Sequence, residues 1–516
     1  MSGAQDLPEP IRHLLHQVGH QHDSPRTRRV FTNRDLDFES IPVVGFDMDY
    51  TLARYRQHPL EALSLEATVA KLIDRGWPEQ LRGVQPDPEF AIRGLVVDTR
   101  NGNLLKMDRH GYVGRVYHGR RMLSRPERKA LYSSQRVGRE RSRFAYVDTL
   151  FALPEVTLYA AVVDLIDAQP ELWGAGAPSY AEAWDAVRKA IDLAHQDDSI
   201  KSRIKADVAA YFDRDPDLAP TLHKLRSAGK KLFLLTNSYY PYTQAVMAYL
   251  LDGALEAYGD WTQYFDWMIV GSRKPSFFSD AEPFLEIDRV TGEVHGGPRA
   301  QPQRNRVFQG GNQAGLQAVM GCRPDQVIYV GDHIYGDIVH SKKTSGWRTV
   351  LIVEELEREL RVRADYQPAL DEIRSQSDLW EVLSEAVSEQ RYLQRGLRQL
   401  DAALVAQTYA ARGEVLSEAN AEVMLGELRA EAKARFERLR EHEDEVAEAV
   451  KRRSVQVDRA FNHYWGSVFT ERYDASFFGE QLVNYACLYT SRVSNFLFVS
   501  PNRYFRAPHG SMPHWF

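Results

Sequence analysis

GFDMDYTLA, residues 45–53, follows the apolar run IPVV of residues 41–44 and decides how the rest of the chain is read. Side chains alternate in direction along an extended strand, so Asp47 and Asp49, two residues apart at its end, face one spot. Like charges held that close repel unless a cation lies between them or one of them carries a proton. Both arrangements are tools of phosphoryl and hydrolytic chemistry.

Further along, four more apolar runs of strand length end in polar loops: KLFLL before Thr236, WMIV before Gly271, QVIYV before Gly331 and RTVLIV before Glu354. Helical patterns such as TLHKLRSAG and YTQAVMAYLL lie between them. Short buried strands alternating with helices predict an α/β fold with a parallel sheet. Ligands bind at the carboxyl ends of such strands, and every polar cluster named here sits at one, so they can converge.

A chain of 516 residues exceeds one ordinary core, and 43% hydrophobic residues suffice to build a main domain with a large insertion. Residues 1–40 read as an N-terminal segment packing on the core, 41–55 and 218–376 as the catalytic core, 56–217 as an insertion, and 377–516 as a helical C-terminal region. The insertion holds a predicted hairpin, RGLVVDTRNGNLLKMD, whose Asn101-Gly102 suits a tight turn. Leaving the rim of the sheet beside the Asp47 loop, it is placed to cap the site. The aromatic end, NYACLYTSRVSNFLFVSPNRYFRAPHGSMPHWF, is expected to dock rather than hang free.

A formal charge of -6 and a pI near 6.3 argue against a basic nucleic-acid binder while leaving room for a local phosphate pocket. Two cysteines, Cys322 and Cys487, are poor material for a disulfide framework or a zinc site, so a reducing cytoplasm is the expected home. The first forty residues are polar and rich in His and Arg without an apolar core, and the mean hydropathy is -0.45. Neither a secretory signal nor a membrane span is expected.

Four pieces are expected to meet. They are Asp47-Met48-Asp49-Tyr50-Thr51; Thr236-Asn237-Ser238, with hydroxyls and an amide for phosphate oxygens; Lys274 in GSRKPSFF, a point charge; and Gly331-Asp332-His333-Ile334-Tyr335-Gly336-Asp337, with two further carboxylates. Singly, each has a bland reading as a turn, a helix cap or a solvated loop. Together, in this order, they resemble the four motifs of the haloacid dehalogenase superfamily of phosphatases. GFDMDYTLARY, TNSYYxYT, RKPSFF, GDHIYGDI and SKKxxGWRT further resemble the purine-preferring cytosolic 5'-nucleotidase II family, and the similarity runs with gaps from Arg29 to the closing RAPHxxMPH.

The resemblance implies a Rossmann-like core with a cap inserted between the first and second motifs. It implies Asp47 as a nucleophile on a 5'-phosphate, giving an aspartyl-phosphate, with Asp49 protonating the departing ribose oxygen and then taking a proton from water. Mg²⁺ would be held by Asp47, the Asp49 carbonyl and Asp332, and the phosphoryl oxygens by Thr236, Asn237, Ser238 and Lys274. Asp337 would orient Lys274 or a water on the metal.

In WDAVRKAIDLAHQ, Arg188, Asp192 and His195 fall at i, i+4 and i+7 and share a helix face, with Val187, Ala190, Ile191 and Ala194 on the apolar one. By spacing alone this is an ordinary solvated face. The resemblance places those three, with Lys201 and the Phe151 of LFALPE, around the nucleoside. An arginine can bridge the O6 and N7 acceptors of a 6-oxopurine, whereas adenine's 6-amino group would set donor against donor. IMP, GMP and their deoxy forms are therefore expected to be preferred over AMP, with Phe151 stacking on the base.

Departures from the family pattern are specific. Ala152 stands where asparagine is usual in LFALPE, and Gln196 where an aromatic is usual. Of the positions where the family's animal members bind an activating ATP, Lys343 and Arg348 match, Gly138 and Asp148 do not, and the long acidic tail of those members is absent. His13, His16 and His20 share a helical spacing but read as a surface terminus. The resemblance suggests homodimers or homotetramers. Two alternatives stay open: a phosphatase for a different phosphoester or a phosphotransferase that hands the aspartyl-phosphate to a nucleoside, and a non-catalytic scaffold whose long charged helices are the working surface.

Overall fold

Val43–Phe46, the strand that delivers Asp47, is the middle strand of the main sheet. The computed structural model describes residues 25–133, 137, 142–174, 176–334, 345–472 and 474–507, and gives that sheet nine strands among them. On one side of Val43–Phe46 lie Lys231–Leu235, Trp267–Val270 and Val307–Gly310, all parallel to it. On the other lie Val327–Gly331, Arg348–Ile352 and Leu488–Thr490, also parallel. Phe284–Glu286 and Phe31–Thr32 close the two edges in antiparallel pairing. The inner strands are buried almost throughout, which is why they read as unbroken apolar runs.

The chain builds outward from Val43–Phe46 in one direction, then crosses over to start the other side with Val327–Gly331. Strand order therefore reverses beside Asp47, and such a switch point opens a crevice at the carboxyl ends. Gly45 is fixed by packing: it pairs with Phe233, and a Cβ there would run into the Phe233 ring. That ring stacks in turn on Tyr329 and meets Trp347 edge-on, tying three strands together.

The insertion begins and ends at one place. Arg54–Tyr55 pairs antiparallel with Phe212–Asp213, with Tyr55 opposite Phe212, so the segment between them leaves and re-enters through a two-stranded neck. It carries the helix Gln57–Ile73, the helices Leu153–Ala168 and Tyr180–Gln196, and a five-stranded antiparallel sheet. The expected hairpin is present as Val96–Asp98 and Asn103–Met107, with Gly102 supplying the positive φ of 65° at the turn.

Two compact units divide the chain: Arg361–Gly466 on its own, and the remainder. The first unit is an antiparallel pair of long helices, Gln367–Gln399 and Glu418–Phe461, with Ala369 packed beside Val457 and Phe461. The helical region was expected to run from 377 to the end. Instead, residues from Ser467 on group with the sheet-bearing unit, and Leu488–Thr490 adds a strand to it. Three residues are too short a run to show strand periodicity, so only the aromatic content signalled burial. The described part of the aromatic end docks: Tyr504–Phe505 pairs with Leu36–Asp37, and Phe505 packs against Phe38, while residues 508–516 lie outside the described residues. No helix among the described residues is long and apolar enough to cross a membrane.

Candidate active site

Asp47 leaves the central strand with its backbone N–H donated to Val330 O at 2.9 Å, which fixes it between the two neighbouring strand ends. Its Oδ1 accepts from the Met48 N–H at 2.8 Å and lies 3.0 Å from Lys274 Nζ, whose side chain is 4% exposed. Lys274 Nζ also donates to the Tyr329 hydroxyl at 2.8 Å. Desolvation offsets most of what a buried ion pair gains, so this pair does little for stability and holds charge where a reaction can use it.

The Thr236-Asn237-Ser238 turn folds on itself, since Thr236 Oγ1 accepts from the Ser238 N–H at 3.1 Å. Ser238 Oγ then donates to Asp49 Oδ2 at 2.8 Å. Asn237 is turned toward the lysine loop: its Oδ1 accepts from the Lys274 N–H at 2.6 Å and its Nδ2 donates to Lys274 O at 3.0 Å. The amide thus holds the backbone that presents Lys274.

Tyr50 turns the loop with a φ of 53°, a left-handed value that costs a bulky residue on the order of 1–2 kcal/mol. Packing holds it there, because its buried ring lies 4.7 Å from both the Tyr55 and the Phe151 rings. Tyr55 in turn donates to Asp49 Oδ1 at 2.7 Å. Burial first, and Asp49 next, push the Tyr55 phenol well above its ordinary value, so it stays protonated.

Asp332 follows Val327–Gly331 and is 3% exposed. Arg93, itself 1% exposed, reaches from the insertion to donate to Asp332 O at 2.8 Å while its Nε donates to Glu355 at 2.8 Å. Nearby Glu354, 3.4 Å from Arg54, is pushed up to about 7 by burial, with Arg54 opposing that shift. Asp47, Asp332 and the backbone carbonyl of Asp49 offer only oxygen donors, the chemistry a hard divalent cation takes. Among the described residues no three carboxylate, imidazole or thiolate groups are placed to hold a metal ion together. Asp337 lies outside the described residues.

The nucleoside candidates sit on the insertion. Ser179 and Glu182 form a capping box that starts the helix Tyr180–Gln196, and Val187, Ala190, Ile191 and Ala194 are its buried face as expected. His195 lies edge-on to Phe151, with ring centroids 6.2 Å apart, and burial, then Lys201, pull it down to about 4. Lys201 Nζ lies 5.5 Å over the Tyr242 ring. Arg188 Nε is 3.3 Å from Glu155 Oε1, and Glu155, 5% exposed, is pushed up to about 7 by burial against the pull of Arg188. Phe151, His195 and Lys201 therefore connect through Tyr50, Tyr55 and Tyr242 to Asp49, whereas Arg188 and exposed Asp192 follow the same helix face toward Glu155. Of the effector-matching positions, Arg348 opens a sheet strand and Asp148 Oδ1 is 3.8 Å from His333 Nε2. Gly138 and Lys343, like His13, His16 and His20, fall outside the described residues.

The profile of the 5' nucleotidase family matches residues 30–516. The chain belongs to that family. A 5'-nucleotidase domain-containing protein of Dictyostelium discoideum is 29% identical over 91% of this chain and 71% of its own length. The 5'-nucleotidase domain-containing protein 2 of Rattus norvegicus is 32% identical over 64% of this chain and 60% of its own. Among solved structures, a predicted phosphoglycolate phosphatase from Haemophilus somnus 129pt aligns at 15% identity over 61% of this chain and 86% of that one, with a TM-score of 0.26. The fold rests on the strand order above rather than on that alignment. Membership of the 5' nucleotidase family makes the chain a phosphoester hydrolase.

For a 5' nucleotidase family member, several contacting residues escaped the sequence reading. Tyr55 and Tyr242 lay within the quoted motif strings, and their signal was a hydroxyl near a carboxylate pair that only the neck and the helix Tyr240–Leu251 bring together. Glu155 closes LFALPE yet carries no spacing relation to Arg188. Arg93 had none either, because a single arginine before a hairpin reads as surface.

Proposed function

We propose that the chain is a Mg²⁺-dependent 5'-nucleotidase that hydrolyses purine nucleoside 5'-monophosphates, taking IMP, GMP and their deoxy forms ahead of AMP. The observation that carries this reading is the convergence of Asp47, Asp49, Lys274 and Ser238 at one set of strand ends, with Phe151 of the insertion joined to that set through the Tyr50 and Tyr55 rings.

In the first half-reaction an Asp47 carboxylate oxygen attacks phosphorus in line, the P–O5' bond breaks, and its electron pair leaves on O5' with the proton from Asp49. In the second, Asp49 takes a proton from water as the water attacks phosphorus and the bond to Asp47 breaks, returning phosphate and free enzyme. Lys274, Thr236 and Ser238 hold phosphoryl oxygens, while Asn237 presents Lys274. Asp47, Asp332 and the Asp49 carbonyl would hold Mg²⁺, which when bound supplies charge neutralisation for the phosphoryl group. Asp337 would orient Lys274 or a water on the metal.

On the insertion, Phe151 stacks on the purine and Arg188 bridges O6 and N7. His195 is neutral at working pH, so it can give and accept a hydrogen bond at the base edge without adding charge. Asp192 and Lys201 complete the rim. The test is a substrate panel with Mg²⁺: IMP and GMP ahead of AMP supports the purine pocket, and a preference for unrelated esters contradicts it. Added inosine separates transfer from hydrolysis, because a phosphotransferase would return new IMP.

A further inference from the structure

Both oxygens of the Asp49 carboxylate are engaged by hydroxyls, Tyr55 on Oδ1 at 2.7 Å and Ser238 on Oδ2 at 2.8 Å. The Tyr55 oxygen lies 2.7 Å from the Tyr242 oxygen, and with the Tyr55 proton directed at Asp49, Tyr242 is the donor between them. A hydrogen-bonded chain therefore runs from Tyr242 through Tyr55 to Asp49, with the two tyrosines 4% and 6% exposed.

Each member is held from a different side. Tyr55 sits in the neck, its ring 4.3 Å from Phe212 and 4.7 Å from Tyr50. Tyr242 occupies the first turn of the helix Tyr240–Leu251, directly after the Ser238 loop. Buried phenols need partners, but a backbone carbonyl would satisfy them as well as a carboxylate does. The choice of partner is informative because of what a hydroxyl can do. Lysine or arginine in the place of Tyr55 could only donate, and would hold Asp49 as an anion. A hydroxyl donates or accepts. Tyr55 can therefore stay bonded to Oδ1 whether or not Asp49 carries, on its other oxygen, the proton it will deliver.

We propose that the Tyr55–Tyr242 hydroxyl pair positions the Asp49 carboxyl for proton transfer to the leaving oxygen and keeps it in place through both halves of the reaction. The inference rests on the reading of Asp49 as the acid and base. In the step served, the P–O5' bond breaks, its electron pair and the Asp49 proton end on O5', and neither tyrosine gains or loses a proton overall.

The test uses the full chain with Tyr55→Phe and, separately, Tyr242→Phe, which keep the rings and remove only the hydroxyls. The readout is kcat/KM, which reports steps up to the aspartyl-phosphate, on GMP and on p-nitrophenyl phosphate, whose phenolate leaves without a proton. On GMP the expected loss is roughly 10–100-fold for Tyr55→Phe and about 3–10-fold for Tyr242→Phe, with less than about threefold on the aryl ester. Thermal melts check folding, and if Tyr55→Phe does not fold, Tyr242→Phe decides by the same contrast. Equal losses on both esters, or none on GMP, overturn the inference and leave the hydrolase reading intact. A wild type inert on GMP overturns the nucleotide reading instead, and the same contrast is then expected between glycerol phosphate and the aryl ester. A wild type inert on all three overturns both.

Discussion

Lys274 Nζ lies 3.0 Å from Asp47 Oδ1 and 2.8 Å from the Tyr329 hydroxyl, which in turn donates to Leu235 O at 3.0 Å. The lysine is thus aimed by the strand on either side of Asp47, and its charge offsets that of the proposed nucleophile. Lys274→Met should lower kcat/KM on GMP by about 10²–10³, the scale of one preorganised charge in a water-poor site. Tyr329→Phe should cost less, about tenfold, since it removes only the aim. Steady-state kinetics check both, and a loss below threefold for Lys274→Met would contradict the role.

Glu155 Oε1 lies 3.3 Å from Nε of Arg188, the arginine proposed to read the base, so its charge state should appear in substrate affinity. With its carboxyl pushed up to about 7, it is neutral and a weak partner below that pH, and an anion gripping Arg188 above it. KM for GMP should therefore improve as pH rises through about 7. Glu155→Gln should flatten that profile and raise KM at pH 8 by roughly 3–10-fold, with kcat nearly unchanged. A wild-type KM that does not change across pH 6–8, or a variant with the same slope, counts against this.

Glu61 offers a stability test away from the site. Its residue is 1% exposed, the Asp87 N–H donates to Oε1 at 3.2 Å, and burial pushes the carboxyl up to about 7. The folded value exceeds the unfolded one, so the stabilising share is complete below the unfolded value and is lost as pH climbs to about 7. Glu61→Gln should accordingly stabilise the protein at pH 8, by an amount on the order of 2–3 kcal/mol, and do little at pH 4.5. Melting temperatures of both proteins at the two pH values decide it, and an equal shift at both would refute the carboxyl as the cause.

Much of the core was legible because parallel strands buried on both faces leave unbroken apolar runs, and because chemistry collects where they end. Asp47, Asp49, Thr236, Ser238, Lys274 and Asp332 all lie there. Less was legible where contacts cross long stretches of chain. Arg93 meets Glu355 and Asp332 O only after the insertion has folded back, and Tyr242 meets Tyr55 only through the neck. Asn237 was expected on phosphate, but an amide at a strand end gives no hint that its partner will be the Lys274 backbone. Leu488–Thr490 was hidden in a region of long charged helices.

Arg93 supplies a prediction of its own. Its guanidinium is buried between Glu355 and the Asp332 carbonyl and lies 5.0 Å over the Phe478 ring. Arg93→Met should destabilise the fold by about 2–3 kcal/mol, since it leaves the half-buried Glu355 carboxylate and the Asp332 carbonyl without their buried partner. It should also raise the Mg²⁺ concentration needed for half-maximal activity, because the Asp332 loop loses its tether. Calorimetric melts and a Mg²⁺ titration test the two effects separately, and an unchanged melt would contradict the burial argument.

Asp47 is proposed as the nucleophile of a purine 5'-nucleotidase. The most direct measurement is phosphate release from GMP, IMP and AMP with Mg²⁺, by the wild type and by Asp47→Asn. Release is expected in the order GMP and IMP ahead of AMP, lost on chelation and restored by Mg²⁺, with the variant at least about 10³-fold slower. An Asp47→Asn variant that releases phosphate at more than about a tenth of the wild-type rate would contradict it.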